Sequence, residues 1–308
     1  MFTISGFLGA RTGMMEFTQH KDNAARRKFS DFPANKQAKL LAGSLLAAVL
    51  PKTRSRVENS SLSDSSSCLE RLVRNGLYAT AFRRKDHRKL RNYFSQYWGS
   101  EAAAFHEGWD DRFDRMFLQH DVQIVDELEI LMGKRDSQFQ HLYEIGCGGG
   151  QVLSYMRDRF PKLETLTGID LGAEQIEKNQ EANTLDSVKF AAADATEWIP
   201  ANAEKNCILM TNGGVFEYFL QEELEDLFSF AAENLAPVAI CIIETIGTDH
   251  DLEKETDSLI YGRELAFSHN YPHLLKQAGF SIVSQSERDG FEIDGGGRWI
   301  RVLAINER

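Results

Sequence analysis

The stretch Leu142–Val152, which reads LYEIGCGGGQV, decides the fold of this chain. A β-rich run leads directly into four glycines, and residues 151–160 then show the pattern of a helix. Glycine permits positive φ angles and a close approach of the backbone to a ligand. The N–H groups at the start of a helix attract a polar or anionic group. Such a strand–loop–helix unit is typical of the carboxyl edge of a parallel sheet, where nucleotides bind.

The spacing of these glycines differs from the dinucleotide fingerprint. That fingerprint is Gly-x-Gly-x-x-Gly. Counted from Gly146, it fits at Gly148 but meets Gln151 at the third position. The loop instead reads Glu144-x-Gly146-x-Gly148-x-Gly150, with an acid two residues before the first glycine. Because the sequence also shows no obvious hydride-transfer site, an NAD-dependent oxidoreductase is disfavoured.

Two further carboxylates end the strands that follow the glycine loop. Asp170, in TGIDLG (167–172), ends the second predicted strand, where a carboxylate accepts two hydrogen bonds from a ribose diol. Asp194, in AAADATEW (191–198), ends the third, and MTNGGVFEYF (210–219) follows at the end of the fourth. A single aspartate at a strand end is more often a turn residue or a helix cap. The four segments in this order indicate a nucleoside site.

Over roughly residues 91–308 the chain resembles the class I S-adenosylmethionine-dependent methyltransferases. The resemblance implies a Rossmann-like core and S-adenosyl-L-methionine as cofactor. It implies that the first acid faces the methionine amino group, and that the acid after the third strand, with a backbone N–H, binds the adenine. The predicted cofactor-binding residues are Glu144, Gly146, Cys147, Gly148, Gly150, Asp170, Leu171, Asp194, Ala195 and Asn212.

Strand and helix patterns alternate on the carboxyl side of the glycine loop. Strands are predicted at 141–146, 163–170, 188–192, 207–211, 238–245, 280–284 and 299–305. Helices are predicted at 151–160, 173–183, 222–235 and 271–278. This alternation predicts a doubly wound α/β fold with a mostly parallel, seven-stranded sheet. The last two strands have no helix between them, so we expect a terminal antiparallel hairpin.

On the amino side, the sequence predicts a helical N-terminal extension and then a lid. The predicted boundaries are 1–90 for a helical, partly flexible extension and 91–308 for a catalytic domain, divided into a helical lid at 91–135 and a Rossmann-like core at 140–308. Within the extension, helices are expected at 36–50, stopped by Pro51, and at 68–84, joined by a Ser-rich linker at 58–67.

The lid prediction depends on a dense set of aromatic residues. They are Tyr93, Phe94, Tyr97, Trp98, Phe105, Trp109, Phe113 and Phe117. Such a set is typical of packing between helices, and it is equally typical of the wall of a small-molecule pocket. Both interpretations stay open from the sequence.

Candidates for a catalytic base follow the fourth and fifth strands. Methyl transfer is an in-line displacement, and a hydroxyl acceptor needs a base to take its proton. Glu217 and His269 are the predicted catalytic residues, although a helix-start carboxylate and a loop histidine would look the same in sequence. The fourth strand ends in Thr211 and Asn212 rather than in an acid, so no metal site is predicted.

The net charge of the chain limits the classes of binding partner. The net charge of −11 and the pI near 5.3 disfavour nucleic acid and anionic membranes as partners. The sequence shows no convincing signal peptide, and its apolar runs fall short of the ~20 residues that span a bilayer, so we expect a cytoplasmic location. The leading interpretation is methyl transfer to a small-molecule acceptor, by O-methylation of a hydroxylated metabolite or sugar. The alternatives are a protein or RNA acceptor, or a non-catalytic S-adenosylmethionine-binding module.

Overall fold

The computed structural model describes residues 26–59, 67–107, 113–134, 138–262, 264–290 and 297–308. Most of the Ser-rich linker predicted at 58–67 lies outside the described residues, as do Trp109 and the side chain of Phe105. No helix in the described ranges is long and apolar enough to cross a membrane.

Nine strands are present in the described residues. They are β1 (His141–Ile145), β2 (Thr165–Asp170), β3 (Val188–Ala192), β4 (Cys207–Asn212), β5 (Val238–Ile246), β6 (Leu259–Tyr261), β7 (Ala266–Ser268), β8 (Ser281–Asp289) and β9 (Arg298–Asn306). Seven of them form one sheet in the order β3-β2-β1-β4-β5-β9-β8. The first five run parallel, and β9 pairs antiparallel with both β5 and β8. The predicted fold class is confirmed, and the separate hairpin β6–β7 was not predicted.

Ten α-helices flank the strands in the described chain. They are α1 (Ala34–Val49), α2 (Pro51–Asn59), α3 (Cys68–Arg84), α4 (His87–Glu107), α5 (Gln123–Gly133), α6 (Gln151–Arg159), α7 (Ala173–Ala182), α8 (Ala195–Asn202), α9 (Gln221–Asn234) and α10 (Tyr271–Gln277). A π-helical segment spans Phe113–Asp121, and a 3-10 helix spans Phe216–Tyr218. Pro51 follows the end of α1 as predicted and then begins α2, because a first-turn proline lacks only an N–H that has no helical partner.

Strand β5, which lies inside the sheet between β4 and β9, divides the apolar core into two layers. Successive side chains of a strand point to opposite faces. Ile240 and Ile242 therefore pack with α8, α9 and α10, whereas Cys241 and Ile243 pack with α5, α6 and the π-helical segment. Both faces of β5 are covered, which explains why its sequence reads as a continuous apolar run.

Strand β8 forms one edge of the sheet. Its residues alternate between exposed and half-buried along its whole length. The pairing with β9 shifts between Ile282 and Ser284, which leaves Val283 as an extra, exposed residue at a β-bulge. The antiparallel pairing carries β8 five residues beyond its predicted end.

A third apolar cluster joins the N-terminal helices to the hairpin β6–β7. We call this layer, made of residues 26–59, 67–107, 259–262 and 264–268, the covering layer. Its cluster includes Leu40 of α1, Val73 of α3, Phe94 of α4, Tyr261 of β6 and Phe267 of β7. The predicted domain boundary at residue 90 lies inside α4. The apolar side chains of this helix pack in the same cluster as those of α1 and α3.

The predicted lid at 91–135 also divides differently. Among its described residues, those of α4 belong to the covering layer, and those of the π-helical segment and α5 do not. Phe113 and Phe117 stack on each other and contact Tyr155 of α6, on a face of the sheet. The described aromatic residues therefore pack on two different surfaces, and Phe113 and Phe117 belong to the core of the sheet.

Helices α1 and α3 cross at two glycines. A Cβ atom added to Gly76 would lie 2.0 Å from the carbonyl carbon of Gly43, and one added to Gly43 would lie 2.1 Å from the carbonyl oxygen of Leu72. Ser44 donates a hydrogen bond to the Gly76 carbonyl at 2.8 Å across the same crossing. Because the clashing atoms are backbone, neither helix can yield without moving as a whole.

We expect Gly76→Ala to lower the free energy of unfolding by about 1–3 kcal/mol, the usual cost of overpacking. Gly133→Ala is the matched control, since a Cβ there meets nothing within 4 Å. In a helix this control should be neutral or stabilising by ~1 kcal/mol. Chemical unfolding of both variants checks the prediction, and equal stability of Gly76→Ala and the parent chain would contradict it.

Candidate functional site

The glycine loop between β1 and α6 has the backbone that its sequence predicts. Gly146, Gly148 and Gly150 have φ angles of 72°, 47° and 76°, in the left-handed region that favours glycine. A Cβ atom at Gly146 would also lie 2.4 Å from a methyl group of Val215. Glycine is thus required at this position by conformation and by contact.

Two buried amides on α7 support the loop from behind. Asn179 donates a 2.7 Å hydrogen bond to the Gly148 carbonyl, and Gln175 donates at 2.8 Å to the Asn179 side chain. Sequence reasoning missed both residues. The available signal was their i, i+4 spacing, which places two polar side chains on one face of the helix.

The predicted residues lie along one edge of the sheet. Glu144 lies on β1; Gly146, Cys147, Gly148 and Gly150 lie in the loop after it; Asp170 ends β2 and Leu171 follows it; Asp194 and Ala195 begin α8; Asn212 ends β4; Glu217 lies in the 3-10 helix; and His269 precedes α10. The carboxyl ends of parallel strands meet at one edge of a sheet. Glu144, Asp170 and Asp194 lie at or just after the carboxyl ends of β1, β2 and β3, which are neighbours in the sheet.

Glu144 is buried beneath the loop, with 2% of its surface exposed. Its Oε2 atom has no hydrogen-bond partner among the described residues. Burial raises the pKa of this carboxyl well above its ordinary value, and the nearby charge of Asp170 acts in the same direction. An unpartnered buried carboxyl oxygen favours a hydrogen-bond donor from a ligand.

Asp170 is held by the backbone on both sides. Its Oδ2 accepts a 3.0 Å hydrogen bond from the Gly148 N–H, and its Oδ1 accepts one of 2.8 Å from the Gly172 N–H. A carboxylate offers about four acceptor positions, so these two bonds orient the group and leave capacity for a diol.

Asp194 is the N-cap of α8 and half of an ion pair. Its Oδ1 accepts hydrogen bonds from the Thr196 N–H at 3.0 Å and the Thr196 hydroxyl at 2.8 Å. Its Oδ2 lies 2.7 Å from Nη2 of Arg91 on α4. Burial alone would raise the pKa of Asp194, but the Arg91 charge and the Thr196 bonds outweigh it and lower the pKa. Arg91 was missed, because no spacing links it to an acid 103 residues away.

Glu217 lies between the 3-10 helix and the hairpin β6–β7. Its Oε2 accepts a hydrogen bond from the Tyr261 hydroxyl, which is also 2.6 Å from the Thr245 hydroxyl. Burial raises the pKa of Glu217 to about 8, and the charge of Glu264 adds to this. The site therefore contains a carboxyl group that gains and loses its proton near neutral pH. Neither Tyr261 nor Thr245 was predicted.

Glu244 holds the backbone of the turn that presents Glu217. It is fully buried at the end of β5, and its two oxygens accept the Val215 N–H at 2.9 and 3.1 Å. Burial raises the pKa of Glu244 to about 7, although hydrogen bonds from backbone N–H groups act against the shift.

His269 contradicts its predicted role as a base. It is fully buried, with Nε2 3.0 Å from the Phe216 carbonyl oxygen and Nδ1 2.6 Å from the Ser258 hydroxyl. A carbonyl only accepts, so Nε2 holds the proton and Nδ1 accepts from Ser258. Burial lowers the pKa of His269 to about 3. Both nitrogens are therefore engaged in hydrogen bonds. This imidazole supports the 3-10 helix, and neither nitrogen has a free lone pair with which to take a proton from a hydroxyl group.

The covering layer lies over this edge. On α4, the rings of Phe94 and Trp98 lie 5.1 and 5.4 Å from the Tyr218 ring. Further along α4, a Cβ at Gly99 would lie 3.8 Å from the Leu171 carbonyl oxygen. The helix therefore spans the edge from β2 to the 3-10 helix. A separate cavity of about 830 Å³, beside loop 248–253, is lined by none of the predicted site residues.

Comparison with known proteins gives a family match. A family model described as a methyltransferase domain matches residues 109–285, more than half of the chain. No curated protein matches the chain. Among solved structures, a SAM-dependent methyltransferase from Leishmania major is 14% identical, with coverage of 70% of this chain and 82% of its own and a TM-score of 0.50. Magnesium protoporphyrin IX methyltransferase from Synechocystis, with bound SAM, is 16% identical, with coverage of 72% and 97% and a TM-score of 0.44.

We expect the buried carboxyl of Glu244 to make stability fall with pH. Its pKa in the folded chain, about 7, exceeds the ordinary value of 4.5, so between these pH values the folded state binds more protons than the unfolded state. The free energy of unfolding then decreases as pH rises, by at most about 1.4 kcal/mol per pH unit for one group. Glu244→Gln should flatten this dependence, measured by denaturant titrations from pH 5 to 8. An unchanged slope in the variant would contradict the assignment.

Proposed function

This chain belongs to the methyltransferase-domain family and is an S-adenosyl-L-methionine-dependent methyltransferase, and we propose that its acceptor is the hydroxyl group of a small metabolite or sugar. One observation carries the proposal. Helix α4 and the hairpin β6–β7 cover the sheet edge at which the Glu217 carboxyl lies. Cover by aromatic side chains over this edge suits a small acceptor, whereas a protein or RNA acceptor needs an open, charged groove.

The residues at the edge fit the proposed cofactor. The unpartnered Oε2 of Glu144 suits an ammonium group, and the oriented carboxylate of Asp170 suits a ribose diol. The left-handed glycines at 146, 148 and 150 leave room for a ligand against the backbone. When bound, S-adenosyl-L-methionine supplies a methyl group on a positively charged sulfur. Around it we place the proposed contacts Cys147, Leu171, Asp194, Ala195 and Asn212, all at the same edge.

Glu217 is the proposed base for the acceptor hydroxyl. Its carboxylate would take the proton as the hydroxyl oxygen attacks the methyl carbon; the methyl–sulfur bond would break at the same time, and its electron pair would stay on the sulfur, which becomes neutral. The Tyr261 hydroxyl holds this carboxyl, and Thr245 in turn contacts Tyr261. We propose that the covering layer is the lid over this site and that it excludes water; the sequence predicted a lid at residues 91–135.

We expect Asp170→Asn to weaken the binding of S-adenosylhomocysteine by about 10- to 100-fold, since hydrogen bonds to a charged group are worth about 1.5–3 kcal/mol. Asp186→Asn is the matched control, because Asp186 is exposed in the turn before β3. Isothermal titration of the full chain measures both. Equal affinities of the two variants would contradict the proposed ribose contact, and no binding by the parent chain would overturn the cofactor site.

We expect Glu217→Gln to lower methyl transfer by at least about 100-fold, the usual contribution of a positioned base. The parent rate should rise with pH to a plateau above about 8, because only the ionised carboxyl accepts a proton. The measurement uses S-adenosylmethionine with an isotopically labelled methyl group and a small-molecule cell extract, read by mass spectrometry.

Glu222→Gln, a neighbouring exposed glutamate on α9, is the control and should keep full transfer. Retained binding of S-adenosylhomocysteine by Glu217→Gln shows that the variant is folded. Label found in the protein or RNA fraction instead of in small molecules would overturn the proposed acceptor class.

A further inference from the structure

Arg91 is the buried charge that ties α4 to the rest of the molecule. Only 5% of its surface is exposed. Its Nη2 lies 2.7 Å from Oδ2 of Asp194, its Nε lies 2.8 Å from Oε2 of Glu223 on α9, and its guanidinium lies 4.8 Å from the centre of the Phe219 ring. One side chain therefore connects the covering layer to the start of α8 and to the start of α9.

These contacts of Arg91 form only when α4 lies against the starts of α8 and α9, a position that we call docked. Removing a guanidinium and two carboxylates from water is costly unless they pair with good geometry. The planar fork of arginine reaches two acids at once, which a lysine ammonium cannot reproduce in the same directions. If α4 moved away, Asp194 would keep its Thr196 bonds on Oδ1 and would lose the partner that fixes Oδ2.

We propose that Arg91 is a positioning residue for the cofactor: through Asp194 it couples the docking of α4 to the adenine side of the site. This inference rests on the proposed cofactor site, because Asp194 is the acid assigned to the adenine amino group. With α4 docked, both oxygens of Asp194 have fixed directions, so a ligand meets an oriented acceptor. The same contact keeps the aromatic side chains of α4 over the acceptor region.

The coupling is reciprocal by thermodynamic necessity. If docked α4 improves the binding of S-adenosylhomocysteine, then that ligand must in turn stabilise docked α4. Amide hydrogen exchange in α4 should therefore slow when the ligand is added to the parent chain. Without Arg91, the ligand should leave the exchange of α4 unchanged.

The experiment measures the affinity of the full chain for S-adenosylhomocysteine, which needs no acceptor. We expect Arg91→Met to weaken binding about tenfold, within the usual range of coupling between sites. Arg91→Lys keeps the charge and should still weaken binding several-fold, because lysine lacks the fork. Arg88→Met is the matched control, since Arg88 lies on the same helix with 82% of its side chain exposed.

A double-mutant cycle separates coupling between Arg91 and Asp194 from general destabilisation of the fold. In an Asp194→Asn background, Arg91→Met should cause no further loss of affinity, because the residue through which it acts has already been changed. Additive losses, or equal affinities of Arg91→Met and Arg88→Met, would overturn the inference. If the parent chain itself does not bind S-adenosylhomocysteine, the proposed function fails; if it binds and only the Arg91 result is negative, the inference alone fails.

Discussion

The site depends on the close contact between the glycine loop and the turn after β4. Val215 lies where a side chain at Gly146 would be, so the two segments meet only because residue 146 has no Cβ atom. Glu244 accepts a hydrogen bond from the Val215 N–H, and His269 donates one to the carbonyl of the next residue, Phe216. Three elements therefore fix one short turn, and this turn brings Glu217 to the edge of the sheet.

The sheet was predictable because its signals are local. Apolar β-rich runs and the turns between them identify each parallel strand, and the predicted ends of β1 to β5 lie within two residues of the observed ones. The glycine loop and the acids Asp170 and Asp194 followed from their positions at strand ends. Strand β8 was predicted too short because its polar outer half resembles a loop, and only pairing with β9 makes it extended.

The details of the site were less predictable because they depend on distant partners. Tyr261 comes from a short hairpin 44 residues after Glu217, in a stretch whose sequence shows no strong periodicity. His269 has the residue type of a base, yet burial and two hydrogen bonds leave it without a free nitrogen. Residue type alone does not report solvation, and solvation decides whether an imidazole can accept a proton.

The edge strand β8 has a consequence for the behaviour of the protein in concentrated solution. A flat edge with free N–H and C=O groups is a template on which a second molecule can add a strand. Here the bulge at Val283 interrupts the regular spacing of those groups, and Glu287, Arg288 and Asp289 place charges at the far end. These features disfavour the addition of a second molecule's strand along the open side of β8.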